Sequence, residues 1–111
     1  MKILFICCAG MSSSLLVKKL EDYIREFNAS NNNNLNITIE AIPLAQYVKV
    51  VNDYDLILLA PQIGYKLKEF KKLLDNKNKH IPIAVVKGMD YGLLRVENIL
   101  QDSLELIMST V

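Results

Sequence analysis

A four-stranded parallel α/β sheet, doubly wound with helices on both faces, is the fold that three observations predict for this chain of 111 residues. Strand-length apolar runs alternate four times with amphipathic helical patterns, which demands right-handed crossovers and parallel strands. Residues 3–6 and the run Leu56-Ile57-Leu58-Leu59 are continuously apolar, as strands buried on both faces must be. Residues 37–41 instead alternate apolar with polar side chains, the mark of a half-exposed edge. With that strand at one edge, the expected order is 2-1-3-4.

The elements follow in turn. After the first strand, Leu16, Leu20, Tyr23, Ile24 and Phe27 recur at helical spacing, with Lys18, Lys19, Asp22, Arg25 and Glu26 on the other side. This helix is expected to stop in the Asn-rich stretch 28–36, read as a solvated turn. In the second strand Ile37, Ile39 and Ala41 share one face, and Thr38 and Glu40 the other. Leu44, Tyr47, Val48 and Val51 then predict a short amphipathic helix. Residues 55–60 form the central third strand, ended by Pro61. Ile63, Leu67, Phe70 and Leu74 give the next helix, with Lys66, Lys68, Glu69, Lys71 and Lys72 facing water. The fourth strand spans residues 81–86. Val96, Ile99, Leu100, Leu104, Ile107 and Met108 form the stripe of a C-terminal helix. No repeat or linker interrupts the pattern, so residues 1–111 read as one domain of near-modal size.

Composition narrows the function. The chain is 51% hydrophobic, which argues against disorder, and its net charge is only +1. A nucleic-acid binder would carry a basic excess, so none is expected as a partner. Cys7 and Cys8 are the only cysteines, and adjacent thiols close only a strained ring. They form neither a disulfide framework nor a metal-binding CxxC, which favours a reducing, cytoplasmic setting. The apolar opening is too brief for a signal peptide and runs on without an A-x-A site. No stretch nears the roughly 18 apolar residues of a membrane span, so direct insertion is not expected.

In doubly wound sheets the ligand site lies outside the C-terminal strand ends, where strand order reverses. For the order 2-1-3-4 that point falls between strands one and three. Two loops flank it: Cys7-Cys8-Ala9-Gly10-Met11-Ser12-Ser13-Ser14 after strand one, and Pro61-Gln62 after strand three. Residues 87–91 close one side. Small residues in the first loop let successive backbone N–H groups turn inward as an anion nest. Three serines add hydroxyl donors, and the following helix N-terminus favours a phosphate. The same field favours a thiolate, hence a nucleophile, at the loop's start. Cys7 ends the strand and aims over the nest, whereas Cys8 points elsewhere. Against this stands the bland reading, two small buried hydrophobes beside a glycine turn.

Three mechanisms suit a thiolate at the mouth of a phosphate loop. A phosphatase or arsenate reductase of the low-molecular-weight tyrosine phosphatase type needs an arginine six residues after its cysteine. Here Ser13 or Ser14 occupies that place. A thiol oxidoreductase wants CxxC, also absent. A phosphoryl relay, in which Cys7 takes a phosphoryl group from one partner and hands it to another, needs neither. It requires a stabilised phosphocysteine without a hydrolytic water.

The segment from Ile3 through Cys7-Cys8-Ala9-Gly10-Met11-Ser12-Ser13-Ser14-Leu15-Leu16-Val17 resembles the phosphorylation loop of a known family. It is that of the enzyme IIB components of the bacterial phosphoenolpyruvate-dependent sugar phosphotransferase system, lactose/cellobiose class. Leu58-Leu59-Ala60-Pro61-Gln62-Ile63-Gly64-Tyr65 is similar to a second family segment, and Tyr91-Gly92 more weakly to a third. The resemblance covers essentially the whole chain and implies a fold like that of the low-molecular-weight tyrosine phosphatases. It implies Cys7 as phosphoryl carrier, with Cys8 where the family commonly has Ser or Ala. Backbone N–H groups from Cys8 to Ser14 and the hydroxyls of Ser12, Ser13 and Ser14 would then neutralise the phosphoryl oxygens. It further implies a IIA protein as phosphohistidine donor and a membrane IIC permease with bound sugar as acceptor. No metal or organic cofactor is implied. One departure is Lys87, where the family often has aspartate; it leaves the parts of Lys87 and Asp90 open.

The remaining singletons read more blandly. His80, the one histidine, is expected in a solvated loop at the pole opposite the site. Gln62 is expected beside Cys7, or as a cap of a helix or strand end. Tyr65 and Tyr91 either face a partner or pack half-buried. The lysines at 66, 68, 71, 72, 77 and 79 are a solvated face or a meeting point for an acidic partner. A regulatory domain whose loop merely binds anions is the non-catalytic alternative.

Overall fold

A computed structural model of the chain describes residues 1–7, 10–31, 36–44, 54–76 and 81–109. Four parallel strands form one sheet in the order β2-β1-β3-β4: β1 Lys2–Cys7, β2 Thr38–Pro43, β3 Leu56–Leu59 and β4 Ile83–Val85. Among the described residues the α-helices are α1 Gly10–Asn31, α2 Leu67–Asn76, α3 Gly88–Gly92 and α4 Val96–Ser109. The predicted order and parallel direction therefore stand.

Register explains the burial. Ile3 pairs with Ile39 and Leu56, and Phe5 with Ala41 and Leu58, so these share one face. Leu4 and Ile6 pair with Ile57 and Leu59 on the other face. Both faces are covered, because α1 and α4 pack together on one and α2 lies against β4 on the other. Every residue of β3 is accordingly buried, as a continuous apolar run requires. In β2 only Ile39 is fully buried, which fits its place at the edge.

Several boundaries depart from expectation for local reasons. Helix α1 ends at Asn31, inside the Asn-rich stretch where its stop was expected, but residues 28–31, read as part of a solvated turn, are helical because nothing in Asn28-Ala29-Ser30 removes a backbone donor. Strand β4 is shorter than 81–86 because Pro82 lacks an N–H; its carbonyl still accepts from Ile57 at 3.0 Å. The helix expected from Ile63 is preceded by a 3₁₀ turn, Pro61–Lys66, and its α-helical part begins only at Leu67. The segment after β4, expected as a loop, contains α3. The predicted helix around Tyr47, Val48 and Val51, and His80, lie outside the described residues.

The N-terminal pole is tied by polar contacts. Asp55 accepts from the Lys2 N–H at 2.8 Å, and the Tyr54 hydroxyl donates to Glu40 at 2.5 Å. These hold the start of β3 level with β1, so that both strands end together at the opposite pole.

Two substitutions test this packing. Ile57→Ala, at a fully buried position of β3, should cost about 2–5 kcal/mol in denaturant unfolding, whereas exposed Leu93→Ala should stay within about 0.5 kcal/mol. At Gly64 an added Cβ would stand 3.3 Å from Val85 Cγ1, so Gly64→Val should overpack the α2 face and cost about 1–3 kcal/mol.

Candidate functional site

The C-terminal strand ends form a level platform. Ala60 N–H donates to the Ile6 carbonyl at 2.9 Å, and Val86 N–H to that of Leu59 at 2.9 Å, extending the ladder one step past the strands. Cys7, Ala60 and Val86 are all buried there. Cys7 pairs with Pro43 of β2 and alternates onto the same face as Ile3 and Phe5. Its thiol donates to the Ile42 carbonyl at 3.6 Å, and the residue is only 2% exposed.

Helix α1 begins at Gly10, two residues beyond the strand's end region. Residues 10–14, expected as loop, therefore open the helix itself; Cys8 and Ala9 lie outside the described residues. The first amides of a helix have no carbonyl one turn earlier to bond. Here they open a helix of 22 residues whose first turn carries no acidic side chain, whereas α2 and α4 place Glu69 and Glu97 in theirs. The positive end of α1 thus has no carboxylate of its own first turn to neutralise it, and it favours an anion arriving from outside.

The second wall follows β3. Ala60 is extended, Pro61 opens the 3₁₀ turn without needing an N–H, and Ile63 N–H donates back to the Ala60 carbonyl at 3.0 Å. Pro61 is half-buried and Gln62 exposed, while Ile63 is buried and anchors the turn.

The third wall follows β4. Tyr91 of α3 stacks on Phe5, with centroids 6.1 Å apart and rings within 5° of parallel. Phe5 sits two residues before Cys7 on the same side of β1, so Tyr91 braces the row that ends in the thiol. Asp90 is buried; its carboxylate accepts from Asn98 Nδ2 at 3.2 Å, and its carbonyl from the Arg95 N–H at 2.8 Å. Leu94 completes this tight α3–α4 turn with φ 53°, in the left-handed region unusual for a branched side chain. Sequence reasoning missed α3 and the Asp90–Asn98 contact, for which the only signal was the Gly88 and Gly92 pair bracketing the segment.

Lys87 points another way. Its Nζ lies 3.7 Å from Asp102 of α4, both partners being substantially exposed. This pair stands beside a cleft of about 440 Å³ between β4 and α4, floored by Leu58, Ala84, Val86 and Ile99. Cys7 does not line that cleft. Among the described residues, no three His, Cys, Asp or Glu side chains gather as a metal-ligand set. Among the same residues, no helix is long and apolar enough to cross a membrane.

Comparison with known proteins agrees with this arrangement. The family model described as "PTS system, Lactose/Cellobiose specific IIB subunit" matches residues 2–102. The oligo-beta-mannoside-specific EIIB component of Bacillus subtilis is 28% identical over 108 residues, 97% of each chain. The cellobiose-specific EIIB component of Lactococcus lactis is 30% identical over 103 residues, 88% of each. Among solved structures, a cellobiose-specific phosphotransferase IIB component from Borrelia burgdorferi superposes with TM-score 0.76 at 35% identity, covering 99% of this chain and 94% of that one. The lactose-specific IIB component domain from Streptococcus pneumoniae gives TM-score 0.75 at 25% identity, covering 96% of each. A match that runs through both the cysteine strand and the Pro61–Lys66 turn leaves one conclusion: the chain belongs to the lactose/cellobiose-specific IIB family of the phosphotransferase system and is a phosphotransferase component of it.

Proposed function

We propose that Cys7 is the phosphoryl carrier in a relay from a IIA protein to a sugar held by a membrane IIC permease. The observation that carries this reading is the position of Cys7 at the strand-order reversal, just ahead of the N-terminus of α1. The thiolate sulfur attacks the phosphorus of the donor's phosphohistidine in line, forming the S–P bond as the N–P bond breaks. A sugar hydroxyl then attacks the same phosphorus, the S–P bond breaks, and the thiolate returns. Backbone amides from Cys8 to Ser14 and the hydroxyls of Ser12, Ser13 and Ser14 neutralise the phosphoryl oxygens during both steps. The arrangement stabilises a phosphocysteine but offers no arginine clamp in the loop, which disfavours a phosphatase or arsenate reductase on the same fold.

Around this pole Leu15, Tyr65 and Met89 are exposed apolar side chains, suited to pressing against donor and acceptor in turn. Pro61, Gln62 and Tyr91 line the platform. The domain works in the cytoplasm, at the inner membrane face that IIC presents. Its acceptor is a sugar of the cellobiose, lactose or chitobiose type. Relatives of this one chain length are named for oligo-β-mannoside, cellobiose and galactose, which supports sugar choice residing in the transmembrane subunit.

Mass spectrometry after incubation with phosphoenolpyruvate, the two general phosphotransferase proteins and a cognate IIA tests the assignment. One phosphoryl adduct should form, disappear in Cys7→Ser and persist in Cys8→Ser. An unmodified wild-type chain beside an active IIA would sink the reading. So would steady, Cys7-dependent turnover of an aryl phosphate, because a relay thiol holds its phosphoryl group for a second partner.

A further inference from the structure

We propose that the lysine-bearing side of α2 docks this protein on an anionic lipid bilayer, an inference that rests on the reading above in which the acceptor lies in a membrane. Charge is divided unevenly along the chain. Residues 66–79 hold six lysines against Glu69 and Asp75, a net +4, so the rest of the chain carries −3. In the structure Lys68, Lys71 and Lys72 are exposed and fall within roughly 100° of arc on α2, while Phe70 and Leu74 turn to the core. Asp75 shares that side one turn on. Across the sheet α4 exposes acidic Glu105 near its cleft, where Asp102 is ion-paired with Lys87. A negative surface would orient the protein with α2 toward it.

Lipid suits this face better than a packed protein partner. All its cations are lysines, and both arginines, Arg25 and Arg95, lie elsewhere. Lysine is depleted from desolvated protein interfaces, where arginine is favoured, but it is well suited to diffuse attraction that keeps its ammonium hydrated. Tyr65, three-quarters exposed in the 3₁₀ turn that leads into α2, has Lys66 Nζ 5.9 Å from its ring centre, while the same ammonium pairs with Glu69 at 2.9 Å. An exposed aromatic beside lysines is the side-chain pairing enriched at headgroup level. The face begins at the pole holding Cys7, since α2 follows the turn after β3. Docking through it would bring the phosphocysteine toward the membrane.

Sedimentation with vesicles tests the proposal without any phosphoryl donor. The protein should pellet at low salt with equal parts phosphatidylglycerol and phosphatidylcholine, fail to pellet with phosphatidylcholine alone, and be released as salt is raised. The triple variant Lys68→Gln, Lys71→Gln, Lys72→Gln should bind on the order of a hundredfold more weakly. Lys18→Gln with Lys19→Gln, on α1, should bind as the wild type does. Failure of the wild type to pellet, a triple variant that binds equally, or an equal loss in the α1 pair overturns it. A triple variant that loses transfer to the membrane subunit equally in neutral detergent assigns the face to an acidic protein and also overturns it. Because Cys7 phosphorylation by IIA is read separately, failure of docking leaves the relay standing, and failure of the relay leaves the vesicle result intact.

Discussion

The pairing of β1 with β3 is the constraint on which the rest of the molecule depends. These two strands are adjacent in space but separated in the chain by α1, β2 and the segment after it. Joining them makes the strand order reverse, and the connections on either side leave in opposite directions. The last link of the pair, Ala60 N–H to the Ile6 carbonyl, sits one residue before Cys7. Were this ladder shifted by one residue, Phe5 and Cys7 would turn together to the opposite face, away from Tyr91. Register, here, sets which way the thiol points.

Around that pair, supports one step away from Cys7 help to hold the site. Phe5 is clamped between the sheet and Tyr91, and Tyr91 is carried by α3, whose position the buried Asp90 fixes through Asn98 and Arg95. A carboxylate buried as deeply as Asp90 is tolerable only with donors supplied, and α4 supplies one from Asn98. The C-terminal helix therefore contributes to the site's geometry although none of its residues stands in the cysteine loop.

This division explains what could be read from sequence. The sheet order was legible because buried strands must be continuously apolar and edge strands need not be, a contrast plain between Leu56-Ile57-Leu58-Leu59 and Thr38-Ile39-Glu40. The identity of Cys7 as the loop's leading candidate was legible for a local reason, since a thiol, small residues and serines are contiguous. Helix α3 was not: its five residues carry no apolar stripe, and Asp90 reads as a surface acid until Asn98 is brought to it from eight residues away. The end of α1 fell within the Asn-rich stretch as expected, but that residues 28–31 are helical was not legible, because asparagine is a weak helix former and the helix's long apolar stripe on the core outweighs that preference. Lys87 shows the same limit, because its ion partner lies fifteen residues further on in α4.

Net charge is the property most easily misread. A value of +1 shows no overall basic excess but conceals a separation of charge between residues 66–79 and the rest of the chain. That separation does not act at the thiol, where the relevant field comes from the first amides of α1 and from the missing carboxylate in its first turn. The two electrostatic devices differ in range. Amide dipoles act over one helical turn and can discriminate a bound phosphoryl group from its surroundings. Lysine ammoniums act over a Debye length of about 10 Å and can only attract and orient. In the proposed relay the amides take the anion, and the lysines of α2 have no part in the chemistry. Their side of α2 can therefore carry orientation alone, without competing with α1 for the phosphoryl group.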